Sequence, residues 1–191
     1  VYDQDCGMYA SRLWWMLRYF GHAAVAVLDG GIAKWTREAR PTQSGAESRS
    51  PAQFSGSPRG EMRVTIDEVE RLRLDPAYLV VDARAPERYR GEQEPLDPVA
   101  GRIPGAVNFF YKEQTNPDGT LLAPEILRAR YQALVGNRPP QNVVVYCGSG
   151  VTSCHNILGM EYAGLSGAKL YAGSWSEWCA DPRRPVARDG E

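Results

Sequence analysis

Apolar positions along the chain fall into two alternating kinds of run. Short continuous stretches, "AYLVVDAR" at 77–84, "QNVVVYC" at 141–147 and "AKLYAG" at 168–173, have the length and β-branched content of strands buried on both faces. Between them lie segments with helical spacing. Thr65 and Glu68 form a capping box ahead of "VERLRL", which predicts a helix there. In "PEILRARYQALVG", 124–136, Pro opens the first turn, Leu127, Tyr131 and Leu134 share a face, and Gly136 stops the helix. "VTSCHNILGMEYAG" and the shorter "SWSEWCA" complete the series. Strands alternating with helices predict an α/β fold with a mainly parallel sheet.

The amino-terminal part repeats the end of that series. "YDQDCGMYASR" at 2–12 answers "YCGSGVTSCH" at 146–155, and "VAVLDGGIAKW" at 25–35 answers "AKLYAGSWSEW" at 168–178. Tyr2 to Trp35 is 33 positions and Tyr146 to Trp178 is 32, the extra residue lying in the first loop. In this first copy the pattern predicts a helix at 10–20, a strand at 24–28 and a helix at 31–38. Nothing there corresponds to "LVVDAR". Because the chain also begins with Val, it is expected to be the carboxy-terminal portion of a longer protein. The stretch "PTQSGAESRSPAQFSGSPRG", 41–60, is rich in Pro, Gly and Ser and reads as a linker. The expected organisation is a remnant of a first copy at 1–40, a linker at 41–61 and a complete second domain at 62–191.

Composition narrows the function classes. Lys plus Arg (22) nearly equals Asp plus Glu (23), so no basic field points to nucleic acid. No apolar run approaches the ~18 residues that span a bilayer, and a cytoplasmic location is the expectation. The four cysteines, 6, 147, 154 and 179, contain no CxxC pair, and neither His22 nor His155 stands at zinc-finger spacing, so free thiols and no metal site are expected.

"VVVYCGSGVTSC", 143–154, carries the candidate chemistry. It places Cys147 where a strand runs into a helix, in a loop whose glycines, Gly148 and Gly150, let backbone N–H groups converge on the side chain. At such a position a thiol pKa can fall from ~8.5 into roughly 3.5 to 7.5. Cys147 is therefore read as a nucleophile, with Ser149 and Thr152 adding hydroxyls. The bland alternative is a small buried residue at a strand end. Cys154 reads as packing on the inner face of the helix, with a resolving thiol as the alternative. Asp82 and Arg84 read as a structural ion pair, Trp175 and Trp178 as packing, and both histidines as structural or exposed. A cysteine-dependent phosphatase needs an arginine about six positions after the nucleophile, where this chain has Ser153.

With "VVDAR", "RYRGE", "GRIPGAVN", "CGSGVTS" and "GSWSEW" in this order, the second domain resembles the rhodanese family of tandem-domain sulfurtransferases, and "DGGIAKW" with "YDQDCGMYASR" resembles the end of its silent first domain. The resemblance implies a rhodanese-like three-layer domain in which Cys147 takes a sulfane sulfur, becomes a persulfide and hands the sulfur to a thiol or cyanide. Asp3 stands at the nucleophile's place in the first copy and cannot form a persulfide. No cofactor is implied, since the thiolate carries the transferred group. "CGSGVT" is similar to the 3-mercaptopyruvate sulfurtransferase loop rather than to the Arg-Lys loop of thiosulfate enzymes. That similarity implies proton handling by Ser149 and a substrate-binding loop of Gly148, Gly150, Val151 and Thr152. Arg88 matches an arginine that grips the donor carboxylate. A second such arginine would fall at Leu96, with Arg90 or Arg102 as substitutes. The family's Asp and His partners of the loop serine would lie upstream of Val1, so a first-domain segment is expected to complete the cleft. Thiosulfate is the alternative donor, and a non-catalytic sulfur carrier or interaction module is the alternative of another class.

Overall fold

The structure, a computed structural model, describes residues 1–4 and 6–190. In chain order it contains α1 (Met8–Tyr19), α2 (Gly31–Arg37), β1 (Arg63–Val64), α3 (Ile66–Leu72), β2 (Leu79–Asp82), α4 (Pro86–Arg90), β3 (Val107–Asn108), α5 (Pro124–Val135), β4 (Val143–Tyr146), α6 (Thr152–Tyr162), β5 (Lys169–Tyr171) and α7 (Ser174–Ala180). The five strands form one wholly parallel sheet in the order β1-β5-β4-β2-β3. The expected α/β architecture is thus present, with β4, the strand that leads into Cys147, at its centre.

Alternation along the buried strands explains why they read as unbroken apolar runs. Leu79, Val81, Val143, Val145 and Leu170 face a core shared with α1, α5 and α6, through Trp14, Trp15, Leu127, Tyr131 and Ile157. Val80, Val144, Tyr146 and Tyr171 face the opposite core, where Val69 of α3 and Trp175 and Trp178 of α7 sit. Covering both faces with helices is the three-layer solution for a parallel sheet. Both tryptophans are fully buried, as packing residues should be.

The capping box forms as expected, with Thr65 Oγ1 accepting from the Glu68 amide and Glu68 Oε2 accepting from the Thr65 amide at 2.7 Å. The α1 helix begins two residues earlier than its apolar pattern suggests. The reason is the Asp3 carboxylate, which accepts from the amides of Gly7, Tyr9 and Ala10 at 3.0, 2.9 and 3.0 Å and satisfies first-turn donors from outside the helix.

The expected strand at 24–28 does not form. Its backbone meets Val1, whose amine donates to the Ala26 carbonyl at 2.7 Å and whose carbonyl accepts from Leu28 at 2.9 Å. One residue of pairing is too little for a ladder, whatever the apolar pattern. Residues 41–59 take no helix or strand and are exposed. They return to the body through hydrogen bonds from Ser57 and Arg59 to the carbonyls of Phe20 and Tyr19. No helix among the described residues is long and apolar enough to cross a membrane.

Candidate active site

Cys147 stands one residue beyond β4, at the carboxyl edge of the sheet where open α/β folds leave a crevice. Its backbone is pinned by α7. The Cys147 amide donates to Ser174 Oγ at 3.1 Å, its carbonyl accepts from the Trp175 amide at 2.9 Å, and the Gly148 carbonyl accepts from both the amide and the hydroxyl of Ser176. Ser174 holds φ +57, a left-handed conformation that costs a non-glycine residue about 1–2 kcal/mol. Its buried hydroxyl, placed between the Cys147 amide and the Tyr171 carbonyl, offsets that strain.

Around the sulfur, donors converge. The Gly150 amide reaches Cys147 Sγ at 3.1 Å and the Ser153 hydroxyl reaches it at 3.6 Å. Gly150 has φ +78, and a Cβ there would stand 2.5 Å from the Ala172 carbonyl oxygen, so this turn admits only glycine. Cys147 is 2% exposed, and burial by itself raises a thiol's pKa. The hydroxyls of Thr152 and Ser153 and the amides of Ser153 and Ser149 outweigh it and lower the pKa below the ordinary thiol value. Burial and a lowered pKa therefore coexist, because hydrogen-bond donors meet the charge that burial would otherwise disfavour.

A similar convergence of backbone donors occurs near the amino terminus, where the Asp3 carboxylate receives three backbone N–H groups. The other thiols differ. Cys154 is buried, donates to the Gly150 carbonyl at 3.3 Å, and burial pushes its pKa up to about 12. Cys179 is also raised by burial.

The sulfur lies at the floor of a cavity of about 450 Å3. The structure brings Cys147, Gly148, Ser149, Val151, Thr152 and Arg88 to its wall, and Gly150 just behind it. Arg88 lies over Gly148, 3.6 Å from where a Cβ would stand. Its guanidinium is also engaged with Glu94, at 2.6 Å, and Asp97, at 3.3 Å. Behind it, buried Arg84 pairs with Asp82 at 2.7 Å and with Glu94 at 3.1 Å, and lies over the Trp175 ring. Burial disfavours the Arg84 charge, but Asp82 raises its pKa overall. Burial likewise opposes ionisation of Glu94, and the Arg88 hydrogen bond prevails and lowers its pKa.

Two arginines here face three carboxylates, so the pair supplies no net positive charge. Lys112, from the 3-10 turn Tyr111–Gln114, is exposed on the cavity wall. It lies 5.9 Å from the Tyr111 ring and makes no ion pair among the described residues. Leu96, 78% exposed, also lines the cavity, and neither Arg90 nor Arg102 joins it. Arg90 pairs with Glu92, whereas Arg102 pairs with Asp189 and lies over Tyr89.

Several contributors, Ser153, Lys112 and Arg12 among them, carry no signal in the sequence pattern. Ser153 stands where a phosphatase would have arginine, and, as side chains in a first helical turn point back toward the helix start, its hydroxyl meets the sulfur. Lys112 follows an edge strand and has no local signal. Arg12 approaches from α1, donating to the Gly150 carbonyl at 3.2 Å. His155 is buried, as one of the structural readings expected, with Nε2 on the Cys6 carbonyl at 2.9 Å. Among the described residues, no cluster of His, Cys, Asp or Glu is placed to hold a metal ion.

Comparison with known proteins identifies the family. The family described as rhodanese-like domain matches residues 65–181. A probable 3-mercaptopyruvate sulfurtransferase of Pseudomonas aeruginosa is 44% identical over 188 residues, covering 98% of this chain and 66% of that protein. Human 3-mercaptopyruvate sulfurtransferase is 39% identical and rat thiosulfate sulfurtransferase 37% identical, each over 183 residues, 93% of this chain and 61% of the relative. The chain thus spans less than two thirds of the length of these relatives. Among solved structures, the anaerobic ergothioneine biosynthesis enzyme of Chlorobium limicola with trimethyl histidine superposes with a TM-score of 0.85 at 26% identity, over 95% of this chain and 45% of that one. A complex of EanB with ergothioneine covalently linked with a persulfide cysteine gives a TM-score of 0.86, also at 26% identity, over the same 95% and 45%.

Proposed function

Because the chain belongs to the rhodanese-like domain family, we propose that it is a sulfurtransferase that carries a sulfane sulfur as a Cys147 persulfide from a small donor to a thiol or cyanide. The observation that carries this reading is the Cys147 sulfur at a cavity floor, met by the Gly150 amide and the Ser153 hydroxyl. With 3-mercaptopyruvate as donor, the thiolate attacks the donor sulfur and the carbon–sulfur bond breaks. The bond's electron pair stays on carbon as pyruvate enolate, which takes up one proton. Ser149, on the cavity wall, is the residue we assign to deliver it. An acceptor thiolate then attacks the outer sulfur and Cys147 leaves as a thiolate, ready for another cycle. The same donors that hold the resting thiolate stabilise it as the leaving group.

Arg88, Gly148, Gly150, Val151 and Thr152 form the donor's binding surface in this proposal, with Lys112 as the uncompensated cation facing the donor carboxylate. The Gly148-Ser149 pair favours 3-mercaptopyruvate, because an arginine at 148 would press its charge onto Arg88. Thiosulfate is the second reading, supported by the thiosulfate sulfurtransferases at similar identity. We further propose that residues 1–40 are the end of a silent first copy, 41–61 a linker and 62–191 the catalytic copy, supported by the similar convergence of donors at Asp3 and Cys147. A cytoplasmic location accords with four free thiols.

The test is release of pyruvate from 3-mercaptopyruvate and of sulfite from thiosulfate, with and without Cys147→Ser. Cysteine-dependent pyruvate supports the first donor and cysteine-dependent sulfite the second. A stable added sulfur on Cys147 with no turnover indicates a carrier. Absence of both product and added sulfur refutes the proposal.

A further inference from the structure

Glycine does not hold its own backbone angles, so the conformation of Gly150 is set by whatever grips it. Its amide lies on Cys147 Sγ, the Ala172 carbonyl occupies the space a side chain would need, and its own carbonyl accepts from Arg12 Nη1 at 3.2 Å and from Cys154 Sγ at 3.3 Å. A thiol is a weak donor, so the guanidinium is the principal hold on that oxygen. Arg12 belongs to another part of the chain, 138 positions away. It is itself steadied over the Trp15 ring at 5.5 Å, on a helix whose Trp14 and Trp15 are buried in the core containing α6.

The contact is one half of a reciprocal pair. Arg12 follows the positive-φ Gly7 by five residues and reaches the Gly150 carbonyl, while His155 follows the positive-φ Gly150 by five residues and reaches the Cys6 carbonyl. Each helix therefore fastens the loop that opens the other. The two halves differ in chemistry, since only the Arg12 half ends on the loop that carries the thiol.

We propose that Arg12 is a positioning residue for the Cys147 loop, keeping the Gly150 amide on the sulfur and so coupling α1 to the reactivity of the thiol. The inference rests on Cys147 being the nucleophile proposed above. It predicts that loosening Arg12 lets the Gly150 peptide turn away, removing one donor from the thiolate while leaving the cavity and its other residues in place.

The test is the pH dependence of Cys147 alkylation by iodoacetamide, with the modified residue identified by peptide mass mapping and thermal unfolding recorded in parallel. In Arg12→Met the midpoint is expected to rise by about one pH unit, which is a roughly tenfold slower reaction below both midpoints. Arg12→Gln, whose amide is too short to reach the Gly150 oxygen, is held to the same criterion should the Met variant not fold. A purely structural role for Arg12 would lower the unfolding temperature and leave the midpoint where it was. An unshifted midpoint in a folded variant overturns this inference alone. A wild-type Cys147 that reacts no more readily than an ordinary thiol overturns the nucleophile assignment, and this inference with it.

Discussion

Replacing Gly150 by alanine would perturb the site with the least added mass and the most determinate consequence. At φ +78 an L-residue carries about 1–2 kcal/mol of strain. The added Cβ would also meet the Ala172 carbonyl oxygen at 2.5 Å, a backbone atom between β5 and α7 that has no rotamer by which to withdraw. Taken together the cost is about 3 kcal/mol or more if the loop stays put. For a chain of this size that is an unfolding temperature lower by roughly 6–12 °C, at about 2–4 °C per kcal/mol. If instead the loop yields, the Gly150 amide leaves the sulfur. A hydrogen bond to a charged group contributes about 1.5–3 kcal/mol, or about one to two pH units on the Cys147 midpoint. Calorimetry and the alkylation pH profile read the two outcomes separately. Gly148→Ala is the control: its Cβ would meet only Arg88 nitrogens at 3.6 Å, an ordinary contact, and stability should stay within about 0.5 kcal/mol. A Gly150→Ala protein with both the wild-type unfolding temperature and the wild-type profile would refute the account of the loop.

Lys112→Gln should lower the rate of Cys147 alkylation by anionic iodoacetate relative to neutral iodoacetamide, several-fold at low salt. An unchanged ratio would remove Lys112 from the cavity's charge balance. Arg84→Met would leave Asp82 buried without its cation and Glu94 with Arg88 alone, and should cost about 3–5 kcal/mol in urea unfolding; a loss below 1 kcal/mol would show that Asp82 finds another partner. His155 is buried and neutral, burial holding its pKa below the ordinary 6.5. As pH falls below that value the unfolded chain binds a proton that the folded chain refuses, so stability should fall. Protonated Nδ1 would also confront the Gln114 side-chain amide. Urea midpoints should drop from pH 7.5 to 5.5 in the wild type and drop less in His155→Gln; parallel declines would exclude His155 as the source.

What could be read from the sequence was what neighbouring residues decide among themselves. The capping box at Thr65 and Glu68, the proline start and glycine stop of α5, the buried runs of β2 and β4 and the glycine turn after Cys147 are all local agreements of side chain and backbone. So is the Asp82–Arg84 pair, two residues apart at a strand end. The expected strand at 24–28 failed because a strand exists only with a neighbour, and its apolar pattern says nothing of one. Arg90 and Arg102 were reasonable substitutes by position, yet each is turned to a carboxylate outside the cavity. The sequence by itself determined the alternating fold and the place of the thiol, because periodicity and turn chemistry act within a few residues. Tertiary structure alone decided what steadies the thiol's loop and what charge surrounds the cavity. Those properties depend on Arg12, Lys112, Glu94 and Ser174, which the folded chain brings to within hydrogen-bonding or Coulomb range from far along its length.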